Sequence, residues 1–181
     1  MRKVLAIFFV ILFVSACSLM DYNSPKERVK ELLDKYKNQD SAILNELDNV
    51  ISNEYSGEYK DRYKKLMLNQ YKNMEYKITD EIIDGSTAVV TTDITVYNYG
   101  SMIETANEYL KQHEEEFYSD NEEEKVVDND KFLDYKLNLL EEEEDRKTYT
   151  VEFTLTKENK EWKLDNLSDT NISKIHGIYI E

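Results

Sequence analysis

Along the first seventy-five residues the apolar positions change from a block to a stripe. Val4 to Val14 is an unbroken run of eleven apolar residues, flanked by Met1-Arg2-Lys3 and Ser15-Ala16-Cys17. From Ser24 onward the spacing becomes helical. Ser24, Pro25 and Glu27 form a helix start, with a capping side chain, a first-turn proline and a capping-box acid. Val29, Leu32, Leu33 and Tyr36 follow on one face. A second helix is predicted from Asp40 or Ser41, with Leu44, Leu47, Val50 and Ile51 inward. Ser56-Gly57 breaks it, and Tyr59, Tyr63, Leu66, Met67 and Tyr71 mark a third.

The period then switches to two. Tyr76 and Ile78 lead to Ile82-Ile83, Asp84-Gly85 reads as a turn, and Ala88, Val90, Ile94 and Val96 alternate along a long strand. Gly100-Ser101 ends it. Ile103, Ala106, Tyr109, Leu110, His113 and Phe117 restore helical spacing, and Ser119 to Asp130 reads as a polar loop. Lys131 to Arg146 is predicted as a helix with Leu133, Leu137 and Leu140 inward. Tyr149, Val151, Phe153 and Leu155 alternate again, Glu158 to Lys160 turns, and Trp162 and Leu164 begin a last strand. The tail, Asp169 to Glu181, holds a short helix with Ile172 and Ile175 inward, ended by Gly177. Gly177 to Ile180 reads either as a short strand or as a docked end.

Helices, a hairpin, a helical excursion and a second hairpin make an α+β chain. This order, the opening "SPKERVKELLDKYKNQD" and the closing "EWKLDNLSD" resemble small lipoproteins with the NTF2-like (cystatin-like) fold. The resemblance implies a single domain over residues 24–181, in which a bent antiparallel sheet wraps a long helix as a cone. The departure from that pattern is an insert at about residues 101–146, between the two hairpins.

The leader and the lone cysteine add a location. Two cations, a short apolar core and small residues before a break make a secretory signal over residues 1–16. A spanning helix needs about 20 apolar residues, roughly twice this run. Val14-Ser15-Ala16-Cys17 resembles the lipobox of bacterial lipoproteins, which implies that Cys17 is acylated and heads the mature chain. Residues 17–23 are then a lipidated tether; Ser18 to Asn23 extends at most about 20 Å. The expected location is the extracytoplasmic face of the cell membrane. With no second cysteine, an intramolecular disulfide and a thiolate metal site are both excluded.

Charge narrows the partners. From Cys17 onward 21 Lys and Arg face 38 Asp and Glu, a net −17, which argues against nucleic acid and against electrostatic adhesion to anionic lipid. Within residues 101–146 five cations face seventeen acids, so −12 of that charge lies in about a quarter of the mature chain. Glu114–Glu116, Glu122–Glu124 and Glu141–Asp145 are its clusters. They read either as a solvated face or as a surface for a basic envelope protein. Asp128-Asn129-Asp130 has calcium-ligand chemistry, but Phe132 and Leu133 stand where an EF-hand needs a ligand and a glycine, so no metal site is assigned.

Catalytic templates fail. His113-Glu114-Glu115-Glu116 lacks the second histidine of HExxH, and G-x-S-x-G, P-loop and G-x-G-x-x-G patterns do not occur. His113 reads as a half-buried histidine, and His176 as a cation favoured at a helix end. Asp93 has the parity of Val89, Thr91 and Thr95, hence of the outer face. Tyr97, Tyr149, Phe153 and Trp162 are the candidate pocket for a small apolar ligand, although Tyr97 and Tyr99 share the parity of Asp93 and enter the cone only past a bulge. The expectation is a non-catalytic binding or interaction module with no cofactor beyond the lipid on Cys17. The alternatives are an NTF2-like enzyme acting on a small apolar substrate and a weak calcium-binding envelope protein.

Overall fold

A computed structural model describes residues 24–181 except 56 and 120–125. Cys17, the leader, the tether and the Glu122–Glu124 cluster therefore lie outside the described residues. Among those residues the chain forms six α-helices, one short 3-10 turn and a four-stranded antiparallel sheet.

The first helix, α1 (Pro25–Lys37), starts as its residues dictate: Ser24 Oγ accepts from Glu27 N at 3.3 Å. Val29, Leu32, Leu33 and Tyr36 are its buried stripe. Asp40 caps α2 (Ser41–Glu54) by accepting from Ala42 N. Here the inward residues differ from expectation. Ile43, Leu47 and Ile51 are buried, whereas Leu44 and Val50 are only half-buried. Apolar residues at 42, 43, 44, 47, 50 and 51 allow two overlapping stripes, and the main core takes the one at strict fourfold spacing, with α2 packed against α3. The third helix, α3 (Gly57–Asn73), buries Leu66, Met67, Gln70 and Tyr71.

The strands β1 (Glu75–Asp84), β2 (Thr87–Tyr97), β3 (Arg146–Glu158) and β4 (Glu161–Leu164) are ordered β1-β2-β3-β4. Glu75 opposes Thr95 and Asp84 opposes Thr87, with a shift at Thr79 between Ile78 and Asp80. Thr87 opposes Thr156 and Tyr97 opposes Arg146; Leu155 opposes Leu164. Ala88, Val90, Thr92, Ile94 and Val96 face inward along β2, meeting Tyr149, Val151, Phe153 and Leu155 of β3. Helix α1 packs against β1, β2 and β4.

Between β2 and β3 lie α4 (Tyr99–Gln112), a 3-10 turn (Glu114–Phe117) and α5 (Asn129–Glu142). Tyr99 starts α4 and does not end the strand, as the sequence suggested; it is buried beside Leu66, Leu137 and Leu140 in a second apolar cluster. Helix α5 begins two residues earlier than predicted because Asp128 accepts from Asp130 N and Lys131 N. It stops at Glu142 and not at Arg146, which is the first residue of β3. A run of acids at the negative end of the helix dipole is unfavourable. Helix α6 (Asp169–His176) ends at Gly177, φ +71°, and the last residues dock as an irregular end: Gly100 N donates to Gly177 O at 2.7 Å.

Candidate functional site

Three of the four candidate pocket aromatics lie buried on the inner side of the sheet, spread along it: Trp162 pairs with Lys157, eight residues along β3 from Tyr149. Tyr149, Phe153 and Trp162 are buried in the main core, with Phe153 fully enclosed among Val90, Val151 and Leu155. They fill the interior. Tyr97 does not join them: it is half-buried in the second cluster, its ring stacked on Tyr99 at 5.9 Å and its backbone at the last position of β2. The bulge that would have turned it inward occurs in β1, at Thr79, and β2 keeps its register throughout.

What holds Tyr97 is a residue that the sequence reading passed over. Gln70 is fully buried in α3. Its Nε2 donates to Tyr97 O and to His176 O, both at 2.9 Å, and its Oε1 accepts from Tyr97 N at 2.8 Å. One side chain thus ties α3, the end of β2 and the end of α6. Gly177 permits it, since a Cβ there would lie 2.0 Å from Gln70 Nε2.

His176 lies at the same junction, and burial reverses the expected charge. Although the residue as a whole keeps some accessible surface, its imidazole stands against the rings of Tyr36 and Tyr71, with centroids 5.9 and 5.6 Å away. Its Nε2 is 3.3 Å from the Tyr71 hydroxyl. Desolvation pushes the imidazole down to about 4, so it is neutral near pH 7 and the helix dipole does not decide its state. The unfolded chain takes up this proton near pH 6.5, the folded chain only near 4. Stability is therefore full above pH 6.5 and falls as pH drops through that window. At pH 5 the loss from this residue should be about 2 kcal/mol. Urea unfolding at pH 7.5 and 5 should show this excess loss in the wild type relative to His176→Phe.

The neighbouring Glu46 of α2 is half-buried; burial raises its carboxyl, and Oε2 has no hydrogen-bond partner among the described residues. Tyr36 and Tyr71 are likewise pushed above the usual phenol value, chiefly by burial. A neutral histidine beside a tyrosine can accept a proton. Here both neighbouring rings belong to the core, at 6% and 2% exposure, and cover the imidazole on their sides.

Asp93 lies on the outer face, accepting from Thr150 Oγ1 at 2.9 Å. That face also carries an open depression of about 480 Å³ lined by Thr150, Glu152, Thr154, Asn171 and Lys174. Asn171 Nδ2 donates to Glu152 O and Lys174 Nζ to Thr150 O, covering backbone that β4 is too short to pair. His113 is half-buried, stacked on Tyr109 with centroids 4.3 Å apart, and its Nδ1 lies 3.3 Å from Glu116 Oε1.

The acidic insert is fixed to the helices beneath it. Arg62 of α3 reaches Asp134 and Glu141 at 2.6 and 2.8 Å, and donates to Asn138 Oδ1 at 2.7 Å. These partners hold the guanidinium above its usual value and Glu141 below the usual carboxylate range. Leu137 and Leu140 pack on Leu66 under this clamp. Glu114, Glu115, Glu116, Glu142 and Glu144 remain exposed. Asp128 is engaged as the α5 cap, and among the described residues no group of three or more acids, histidines or cysteines converges as a metal site.

No family model matches the chain, and no curated protein matches it. It is similar to the crystal structure of a Bacillus subtilis protein described as a "putative lipoprotein (ycdA)", at 12% identity and a TM-score of 0.46. The likeness covers 86% of this chain and 55% of that one, so the chain spans about half the length of its structural neighbour. No helix among the described residues is long and apolar enough to cross a membrane.

Proposed function

We propose that the chain is a lipoprotein of the bacterial cell envelope, held on the extracytoplasmic face by lipid on Cys17. Its NTF2-like domain acts as a non-catalytic interaction module, with the acidic insert as the contact surface for a basic envelope protein. The observation that carries this reading is the insert itself. Residues 101–146 carry seventeen acids, and nine of them stand on α4, the 3-10 turn and α5, which have their own apolar cluster and an arginine clamp to α3. A merely solvating segment needs no such footing. The field of such a surface attracts a basic partner and weakens as salt rises.

Two measurements test the two halves of the reading. Changing Cys17→Ser should move the protein from the membrane fraction to the soluble one and abolish the diacylglyceryl mass on the mature N-terminus. Unchanged membrane partitioning would refute the anchor. For the surface, Glu114, Glu115, Glu142 and Glu144 are changed together to Gln. Cross-linking on intact cells should then yield severalfold less of the partner captured by the wild type, with thermal unfolding unaltered. Undiminished capture would remove the insert from the interface.

A second reading, an NTF2-like enzyme acting on a small apolar substrate, is favoured by one observation: a desolvated histidine beside Tyr71 within the core. A small apolar adduct seen by native mass spectrometry in the wild type and lost in His176→Phe would support it.

A further inference from the structure

Both hairpins turn at the same end of the sheet. Gly85-Ser86 closes β1–β2 and Asn159-Lys160 closes β3–β4, while Lys157 N donates to Ser86 O at 2.7 Å and holds the two turns together. The chain enters the domain at this end as well. Lys26, in the first turn of α1, donates its backbone N–H to Glu81 Oε1 at 3.0 Å, and its Nζ lies 3.6 Å from Glu81 Oε2. Residues 82–87 of the first hairpin are exposed throughout.

At this exposed tip the sequence places two isoleucines. Ile82 is 61% exposed and Ile83 52% exposed. Ile82 pairs with Val89 and Ile83 with Ala88, so they lie on opposite faces of the ribbon. The parity that buries Ala88 leaves Ile83 in solvent, because the ribbon here runs past the end of the core. A partner docking on one face would cover one isoleucine. A medium that surrounds the tip, such as the headgroup and upper acyl region of a bilayer, covers both.

Charge is distributed to match. Residues 24–28, 81–87 and 156–163 carry five cations and five acids, so this end is neutral. The insert, at −12, leaves the sheet after Tyr97 and rejoins it at Arg146, the opposite end. The eleven residues of β2 separate that end from the hairpin tip by about 35 Å. An anionic leaflet repels the insert and leaves the hairpin end unopposed.

We propose that the β1–β2 tip, through Ile82 and Ile83, is a second membrane contact that orients the domain with its acidic insert away from the bilayer. This rests on the reading of Cys17 as a lipid anchor. Six tether residues reach at most about 20 Å, so an anchored domain keeps the tip beside the surface. The contact sets orientation, because acyl chains on one cysteine already supply the affinity.

The test uses the full lipidated chain in vesicles of phosphatidylethanolamine and phosphatidylglycerol. Ile83→Cys is labelled with an environment-sensitive nitrobenzoxadiazole dye, since the Cys17 thiol is consumed by its thioether. Glu142→Cys is the matching probe on the insert. Flotation of the vesicles reports the anchor independently. The expected result is a severalfold rise in emission at position 83, quenched by spin-labelled lipid, with neither effect at position 142. Failure to float would refute the anchor and the proposal with it. Flotation without lipid quenching at position 83 would overturn the proposal and leave the anchor standing. Equal quenching at both positions would also overturn it, showing a domain without fixed orientation. Shielding at position 83 that spin-labelled lipid does not quench would assign the tip to a protein contact instead.

Discussion

Gly177→Ala should destabilise the domain by about 4 kcal/mol, the sum of a backbone cost and a larger steric one. The backbone cost comes from φ +71°, a left-handed conformation that charges a Cβ about 1–2 kcal/mol. The steric cost arises because the new Cβ would lie 2.0 Å from Gln70 Nε2 and 2.3 Å from Tyr97 O. Neither atom is free to retreat. Tyr97 O is backbone of the second strand, and the Gln70 amide is committed to three hydrogen bonds. Moving it leaves the Tyr97 amide and two carbonyls unpaired in the interior, at about 1–3 kcal/mol each. Gly85→Ala supplies the control, with nearly the same φ, +59°, and nothing within 4 Å of its Cβ. Denaturant unfolding of both variants separates the terms: Gly85→Ala should lose only about 1 kcal/mol. Equal losses would mean that the C-terminal segment is not seated on Gln70. Gly100 closes the same seam from the other side, its Cβ position 2.1 Å from Tyr179 O.

That seam explains which parts of the chain were legible in sequence. The opening helix follows from Ser24, Pro25 and a fourfold apolar stripe, all local signals, and β2 follows from strict alternation that placed Asp93 outward. The insert was also readable as helical and acidic. Its attachment was not, because Arg62 and Gln70 are polar residues on an amphipathic helix, where local pattern assigns them to solvent. Their partners lie 72 and 27 residues away, at Asp134 and Tyr97. His176 fails for a related reason: the helix dipole is visible in sequence, whereas the rings of Tyr36 and Tyr71 arrive from other helices. In α2, Ile43 and Leu44 are equivalent by spacing until the main core is assembled. For the candidate pocket, parity separated Tyr97 from the inward residues of β2, and the undistorted strand keeps it apart. Cys17, the most specific assignment in the sequence, lies outside the described residues.

Phe153→Ala decides whether the aromatic interior is core or pocket. Phe153 is fully enclosed on the inner face of β3, opposite Val90 and flanked on the same face by Val151 and Leu155. Truncating a packed phenylalanine removes its transfer free energy and leaves a cavity, costing about 3–5 kcal/mol. A side chain that merely lined an empty pocket would lose few contacts, and its removal would cost under about 1 kcal/mol by the same accounting. Unfolding by urea should therefore show a fall in midpoint with an unchanged slope. The void left by Phe153→Ala is lined by apolar side chains and should stay dry, so a small apolar probe such as benzene should enter it. Binding to the folded state alone then raises stability with ligand concentration. Benzene should raise the melting temperature of the variant and leave that of the wild type unchanged. Stabilisation of the wild type by the same probe would show a natural cavity in the interior, and would move the proposed interaction surface there from the acidic insert. A filled core is the outcome that the proposal of the acidic insert as contact surface requires.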